Sequence, residues 1–275
     1  MNQIDADELH KLIARNAVKV IDGSWALDGT DMRALYVQDH IPDAVFFNLD
    51  IVSDPSSGLP HMAPTPEVFA SCVGQMGVSD HDTVVVYDRQ GLFSAARVWW
   101  TFRLMGHRDV RVLRGGLPAW KAAAFPTEAG IPTPQPVSYR TSHRNDLLIH
   151  CDQLMRCLDA PDALVLDARP RARFYGEAPE PRSGLRSGHM PGSRNLPFAE
   201  LVRDGALLPV ADLRAIFRDL GVDEKTSLIT TCGSGVTAAI LSLALAETGR
   251  EAQLYDGSWA EWGMENASTP VVTHP

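Results

Sequence analysis

The sequence predicts an α/β protein made of two tandem copies of one unit, each a mainly parallel sheet flanked by helices. Short apolar runs of strand length alternate with longer helical patterns along the 275 residues, which is typical of parallel sheets covered on both faces. The same order of features recurs at offsets of 141 to 149 residues. A stretch with four prolines and little apolar periodicity, 126–145, separates the two copies.

In the first copy, two of the predicted helices are followed by glycines, Gly77 and Gly106. A turn containing His40 precedes the second apolar run. The predicted elements are helix Asp5–Asn16, strand Val18–Asp22, apolar run Val45–Leu49, helix Pro66–Met76, strand Thr83–Asp88, helix Ser94–Met105, strand Val110–Leu113 and a short helix around Trp120.

The second copy repeats this order. Strand Ala163–Asp167 corresponds to the first strand, and the turn containing His189 corresponds to that of His40. Because these two histidines are equivalent, we expect a shared structural role for them. The predicted organisation is a first domain at 1–130, a linker at 131–146 and a second domain at 147–275.

Composition excludes several classes of protein. A hydrophobic content of 45% and a charged content of 21% are those of a soluble globular chain. The net charge of −9 argues against nucleic-acid and membrane partners. The acidic amphipathic N-terminal helix suits neither a secretory signal nor a transit peptide, so we expect a cytoplasmic protein. Four cysteines show no metal-ligand spacing, so we expect neither a metal nor a disulfide framework.

The most informative stretch is 227–249, in which a short apolar strand, Leu228–Thr231, leads directly into Cys232. Gly-Ser-Gly-Val follows, and then a helical run from Thr237 to Glu247. Glycines let a backbone turn tightly, and the first turn of a helix offers unpaired N–H groups and a positive dipole end. Such surroundings favour a thiolate, and a thiolate is the nucleophilic form of cysteine. The pattern therefore predicts a nucleophilic Cys232.

Two other interpretations of this stretch remain open. Free cysteine is often a small buried core residue. In addition, Gly233 to Ala238 fits the pattern G-x-G-x-x-A, with Asp256 at about the distance expected for a ribose contact. A dinucleotide site of that kind usually lies on the first strand of its unit, whereas a related strand precedes this one.

The duplication provides an internal comparison. Gly77 to Asp88 and Gly221 to Cys232 both span eleven residues, so Asp88 occupies the position of Cys232. The first copy has no thiol there and cannot perform cysteine chemistry. We therefore expect the first domain to be inactive and the second to be catalytic.

These features resemble the sulfurtransferase (rhodanese) superfamily, and within it the branch that uses 3-mercaptopyruvate. The resemblance covers Val20 to Trp262 and includes the loop Cys-Gly-Ser-Gly-Val-Thr and the phrase Pro-Glu-Pro-Arg at 179–182. It implies two tandem rhodanese-like domains. It also implies that Cys232 takes the sulfane sulfur of 3-mercaptopyruvate, releases pyruvate and passes the sulfur to a thiol or cyanide. No metal or organic cofactor is implied.

The resemblance also assigns roles to particular residues. A serine–histidine–aspartate relay falls on Ser234, His61 and Asp50, where an oriented histidine could move a proton to the departing enolate. Arginine can hold a carboxylate by two parallel hydrogen bonds. The implied substrate-binding residues are Arg173, Arg182, Gly233, Gly235, Val236 and Thr237.

Charge favours one sulfur donor over another. Thiosulfate, a dianion, would gain from cations within the loop, but Gly233 and Ser234 supply none. The loop thus favours a monoanionic keto acid, with thiosulfate as the alternative main donor. A cysteine phosphatase needs arginine six residues after the cysteine, where this chain has Ala238. A non-catalytic sulfur carrier is a further alternative, although the intact loop argues against it.

The expected partners are therefore a small keto-acid substrate and a sulfur acceptor. Thioredoxin and small thiols are both candidates for the acceptor. The sequence does not distinguish between them.

Overall fold

The computed structural model describes residues 2–158 and 163–273. The chain forms two compact units. The first comprises Met1–Ser56, Ala63–Arg144 and Val202–Leu207, and the second comprises Ser57–Met62, Asn145–Leu201 and Leu208–Pro275. The two-copy α/β architecture predicted from the sequence is confirmed.

The first unit is built on a five-stranded parallel sheet with the order β1-β5-β4-β2-β3. Its middle strand, β4, is buried along its whole length, as expected for a parallel strand covered on both faces. The strands are β1 (Gln3–Ile4), β2 (Lys19–Asp22), β3 (Val45–Phe46), β4 (Val84–Tyr87) and β5 (Val110–Leu113).

Helices cover this sheet. Thr65 begins α3 by accepting a hydrogen bond from the Val68 N–H at 3.3 Å, and Pro66 occupies the first turn. Trp99 and Trp100 of α4 are fully buried. The helices are α1 (Ala6–Ile13), α2 (Met32–Gln38), α3 (Pro66–Gln75), α4 (Ala95–Leu104) and α5 (Gly116–Ala122).

The second unit repeats the sheet with the equivalent order β6-β12-β11-β7-β8, again parallel. The strand that leads to Cys232, β11, lies in the centre between β12 and β7. The strands are β6 (Leu148–Ile149), β7 (Ala163–Asp167), β8 (Arg194–Asn195), β11 (Ser227–Thr231) and β12 (Gln253–Tyr255). Two further strands, β9 (Val202–Arg203) and β10 (Ala206–Leu207), form a separate antiparallel hairpin that belongs to the first unit.

The helix after β11 is apolar on all sides, and residues Ala238 to Leu245 are all buried. A helix of that composition is stable only inside a core, so α9 fixes the end of the loop that precedes it. The helices of this unit are α6 (Cys151–Cys157), α7 (Arg171–Phe174), α8 (Val210–Asp219), α9 (Ala238–Glu247) and α10 (Ser258–Trp262).

The two equivalent histidines have the same structural role, as predicted. His40 Nδ1 lies 2.9 Å from the Tyr36 carbonyl oxygen, and its ring stacks on Tyr36. His189 Nδ1 lies 2.9 Å from the Phe174 carbonyl oxygen, and its ring stacks on Phe174. Both are buried packing residues.

The stretch predicted as a linker is bound along the first unit as far as Arg144. The Val137 N–H donates to the Gly74 carbonyl at 3.0 Å, and the Ser142 N–H donates to the Met105 carbonyl at 2.9 Å. The approach is closest at Gly106, where an added Cβ would lie 2.3 Å from the Ser142 carbonyl oxygen. This backbone contact requires glycine.

The two units contain exchanged segments of the chain. Ser57–Met62 belongs to the second unit and Val202–Leu207 to the first. Their starts are 145 residues apart, within the offset of the duplication, so they are equivalent segments of the two copies. In the first unit, the exchanged hairpin packs closely, because a Cβ on Gly91 would lie 2.6 Å from the Gly205 Cα.

Replacing Gly106 with alanine tests the packing of the bound stretch. Gly106 has φ +82° and Gly29 has φ +80°, but no atom lies within 4 Å of a Cβ added to Gly29. We expect Gly29→Ala to cost about 1–2 kcal/mol through backbone strain alone. Gly106→Ala should cost roughly 2–4 kcal/mol, because it adds overpacking against Ser142. Urea denaturation measures both free energies of unfolding, and equal losses would contradict this account.

Candidate active site

Cys232 lies at the C-terminal end of the central strand β11, immediately before the loop that leads to α9. Its backbone N–H and carbonyl are both held by the first residues of α10 (Ser258–Trp262), which follows β12. The Cys232 N–H donates to Ser258 Oγ at 3.2 Å, and its carbonyl accepts from the Trp259 N–H at 2.9 Å. Cys232 is buried, with 2% of its surface exposed. The cysteine is therefore held firmly inside the second unit.

Residues 233–237, called the cysteine loop below, carry several backbone donors. Gly235 has φ +76°, which favours glycine, and Ser234 and Val236 are buried. Within residues 2–158 and 163–273, the N–H groups of Gly233, Ser234, Val236 and Thr237 donate to no protein acceptor. Buried N–H groups of this kind are suited to bind an anion.

The corresponding loop of the first unit, residues 89–94, contains an anion. The buried Asp88 carboxylate accepts four backbone hydrogen bonds at its two oxygens. Its Oδ2 accepts from the N–H groups of Phe93, Ser94 and Ala95 at 2.7, 3.0 and 2.9 Å. Its Oδ1 accepts from the Gln90 N–H at 2.9 Å. The first unit thus shows that a loop of this architecture gathers amide donors around a negative charge.

The donors of the two loops correspond when they are counted from the helices. Ala95 begins α4 and Ala238 begins α9, so Val236 and Thr237 occupy the places of the two preceding donors. Counted from the strands, which end at Tyr87 and Thr231, Cys232 stands where Asp88 stands in the first unit, and the cysteine loop is one residue shorter than residues 89–94.

An ion-pair cluster lies next to the cysteine loop. Arg169 is buried, pairs with Asp167 at 2.7 Å and places its guanidinium 4.1 Å from the ring centroid of Trp259. Glu180 accepts from Arg169 Nη1 at 2.7 Å and also pairs with Arg173. Burial alone would lower the pKa of Arg169, but the charges of Asp167 and Glu180 outweigh burial and raise it. Arg169 therefore stays charged.

The two arginines predicted to bind substrate differ in their surroundings. Arg173 belongs to α7, and one of its terminal nitrogens, Nη2, lies 3.1 Å from the position of a Cβ added to Gly233. The structure thus places Arg173 beside the cysteine loop. Arg182 lies in the irregular segment after α7 and is partly buried.

The predicted relay residues fall in different parts of the chain. His61 is buried, has φ +59° and lies in the exchanged segment Ser57–Met62, which belongs to the same unit as Cys232 and Ser234. Asp50 is an exposed turn residue of the first unit. Its N–H donates to Asn48 Oδ1 at 3.0 Å.

The remaining cysteines have different environments. Burial raises the pKa of Cys72 and of Cys151, which favours the neutral thiol. Cys72 lies inside α3, and Cys151 begins α6 two residues after β6. These residues are poor candidates for a thiolate nucleophile.

Sequence reasoning missed two residues that hold the site together. Ser258 has φ +49° and is fully buried, and its hydroxyl both accepts from the Cys232 N–H and donates to the Tyr255 carbonyl. Glu180 connects two arginines. Glu180 lies in the phrase Pro-Glu-Pro-Arg at 179–182 that carries the family resemblance, and this phrase was the signal available for it in the sequence.

Among the described residues, no helix is long and apolar enough to cross a membrane.

The repeated parallel sheet and the cysteine at a strand–helix junction define a two-domain protein of the rhodanese type. Two stretches of the chain, 5–123 and 150–265, match the rhodanese-like domain. The chain belongs to the rhodanese-like family.

Full-length relatives carry related names. The 3-mercaptopyruvate sulfurtransferase of Escherichia coli K12 is 40% identical over 272 residues, covering 98% of this chain and 96% of the relative. The human 3-mercaptopyruvate sulfurtransferase is 37% identical, covering 98% and 92%. The mitochondrial thiosulfate/3-mercaptopyruvate sulfurtransferase 1 of Arabidopsis thaliana is 38% identical, covering 95% and 76%. The chain thus falls among the sulfurtransferases of its family.

Solved structures agree with this placement. The crystal structure of SseA from Escherichia coli, described as a 3-mercaptopyruvate sulfotransferase, has a TM-score of 0.86 and 37% identity, covering 94% of this chain and 99% of that one. The sulfur transferase subunit of yeast mitochondrial complex I has a TM-score of 0.88 and 30% identity, covering both chains fully.

Replacing Asp88 with asparagine tests whether the first loop depends on a negative charge. An amide offers one oxygen, and its NH₂ group would face N–H donors in place of the second oxygen. We expect Asp88→Asn to lower the free energy of unfolding by about 1–3 kcal/mol. Asp54→Asn is the control, because Asp54 accepts through Oδ1 alone in an exposed turn. Equal losses in urea denaturation would mean that the charge is not required.

Proposed function

We propose that this chain transfers the sulfane sulfur of 3-mercaptopyruvate through a persulfide on Cys232 to a thiol or cyanide. The Cys232 thiolate attacks the substrate sulfur, a sulfur–sulfur bond forms, and the carbon–sulfur bond breaks. The electron pair of that bond leaves on the enolate of pyruvate, which takes up a proton. An acceptor thiolate or cyanide then attacks the outer sulfur and restores the Cys232 thiolate.

The observation that carries this proposal is the equivalence of the two loops. Asp88 accepts four amide hydrogen bonds in the first unit. The N–H groups of Val236 and Thr237, which are the counterparts of two of those donors, donate to no protein acceptor within the described chain. Charge-assisted hydrogen bonds of this kind stabilise a thiolate and also the negative outer sulfur of a persulfide. The names of the full-length relatives support the same reaction.

In the proposed mechanism, Ser234 and His61 deliver the proton to the enolate. The exchanged segments support this role. The hairpin Val202–Leu207 packs on the loop of the first unit, and its equivalent in the other copy, Ser57–Met62, carries His61 into the second unit. Ser234 is buried in the cysteine loop. The part of Asp50 in the relay stays a prediction from the sequence.

The proposed binding site combines amides and arginines. Arg173 and Arg182 hold the substrate carboxylate, while the amides of Gly233, Gly235, Val236 and Thr237 surround the transferred sulfur. The position of Arg173 beside Gly233 supports its assignment. The role of Arg182 stays a prediction.

Thiosulfate is the second candidate donor, since the Arabidopsis relative is named for both compounds. The cysteine loop contributes no cation that would suit a dianion, so we propose 3-mercaptopyruvate as the preferred donor. A thiol such as thioredoxin or a small thiol is the proposed acceptor. Cytoplasmic location and the division into an inactive first and a catalytic second domain stay predictions.

The first experiment removes the nucleophile. We expect Cys232→Ser to lower turnover of both donors by a factor on the order of a thousand or more, because serine cannot form a persulfide. Pyruvate release and thiocyanate formation with cyanide as acceptor measure the two halves of the reaction. Cys72→Ser is the control and should keep full activity. Full turnover by Cys232→Ser would exclude the proposed mechanism.

The second experiment tests carboxylate binding. Arg182→Ala should raise KM for 3-mercaptopyruvate about 10- to 100-fold with little change in kcat, because a charge-assisted contact made in the ground state would be lost. Arg171→Ala is the matched control, since Arg171 is an exposed arginine that pairs with Glu200. An unchanged KM in Arg182→Ala would remove its assigned role.

A further inference from the structure

Four charged side chains beside the cysteine loop balance one another. Asp167 and Glu180 are buried, and both pair with Arg169 at 2.7 Å. Glu180 also accepts from Arg173 Nε at 3.1 Å and pairs with its Nη2. Two cations and two anions thus form one cluster with no net charge.

Glu180 determines how much of Arg173 is available to a ligand. The Nε and Nη2 edge of the guanidinium faces Glu180, whereas Nη1 makes no hydrogen bond within the part of the chain that the structure describes. Nη2, the atom that pairs with Glu180, is also the atom of Arg173 that lies 3.1 Å from the position of a Cβ added to Gly233. Arg173 can therefore donate to a bound carboxylate from Nη1 while its own charge is already compensated.

We propose that Glu180 is a positioning and specificity residue for the sulfur donor. It orients Arg173 towards the cysteine loop and cancels its positive charge, so that the site accepts a monoanionic keto acid better than a dianion such as thiosulfate. The inference rests on the proposed function. Its physical basis is Coulombic, because a nearby carboxylate in a partly buried site repels a dianion more strongly than a monoanion.

The experiment compares two donors in Glu180→Gln. This substitution keeps the shape of the side chain and removes its charge. We expect the ratio of kcat/KM for thiosulfate to kcat/KM for 3-mercaptopyruvate to rise about tenfold. A tenfold change corresponds to about 1.4 kcal/mol of electrostatic energy. Glu200→Gln is the matched control, because Glu200 pairs with Arg171, an exposed arginine on the same helix as Arg173. It removes the same overall charge and should leave the ratio unchanged.

Glu180→Asp separates charge from position. Aspartate keeps the charge but is one methylene shorter, so Arg173 should lose its orientation. We expect KM to rise for both donors while their kcat/KM ratio stays near that of the unaltered protein. A ratio that rises as much as in Glu180→Gln would show that charge compensation does not set selectivity. Thermal unfolding establishes that each variant is folded.

The unaltered protein provides a test that needs no variant. Pyruvate, a monoanion, should inhibit more strongly than malonate, a dianion of similar size. This comparison replaces the ratio of the two donors as the test if Glu180→Gln does not fold. An unchanged donor ratio in folded Glu180→Gln, or stronger inhibition by malonate, overturns the inference. If the unaltered protein turned over neither donor, the proposed function itself would fail, and that result is distinct from the others.

Discussion

The structure depends on backbone N–H groups gathered at the end of a central parallel strand. In both units the chain leaves the sheet, turns through a short loop and enters a buried helix. Unpaired backbone N–H groups in such a turn favour a negatively charged partner. The first copy supplies a carboxylate from its own side chain, Asp88. The second has a cysteine at the equivalent position, and we propose that this difference makes its loop the catalytic one.

The charged side chains beside the cysteine loop are paired with side chains of opposite charge. Arg169 forms buried ion pairs with Asp167 and Glu180, and its guanidinium also lies over the ring of Trp259. The backbone N–H of Trp259 donates to the Cys232 carbonyl, so the ion pairs are linked to the cysteine. A buried ion pair adds little to stability by itself, because desolvation offsets attraction. These ion pairs of Arg169 instead help to fix the position of an arginine relative to the cysteine backbone.

Much of the fold could be predicted from the sequence, because strands such as Val84–Tyr87 and helices such as α9 have strong apolar patterns. Short elements could not. Strand β1 has two residues, and α2 buries only Tyr36, so neither gives a periodic signal. Cys232 and its loop were predictable because the motif is local. The role of Glu180 was not, since its pairing with Arg169 and Arg173 depends on the path of an irregular segment.

The most direct test of the account is the mass of the protein after reaction with 3-mercaptopyruvate in the absence of an acceptor. The account predicts one added sulfur atom, located on the peptide that contains Cys232 and removed by cyanide as thiocyanate. Pyruvate release without sulfur on Cys232, or with sulfur on Cys72, Cys151 or Cys157 in its place, would contradict it.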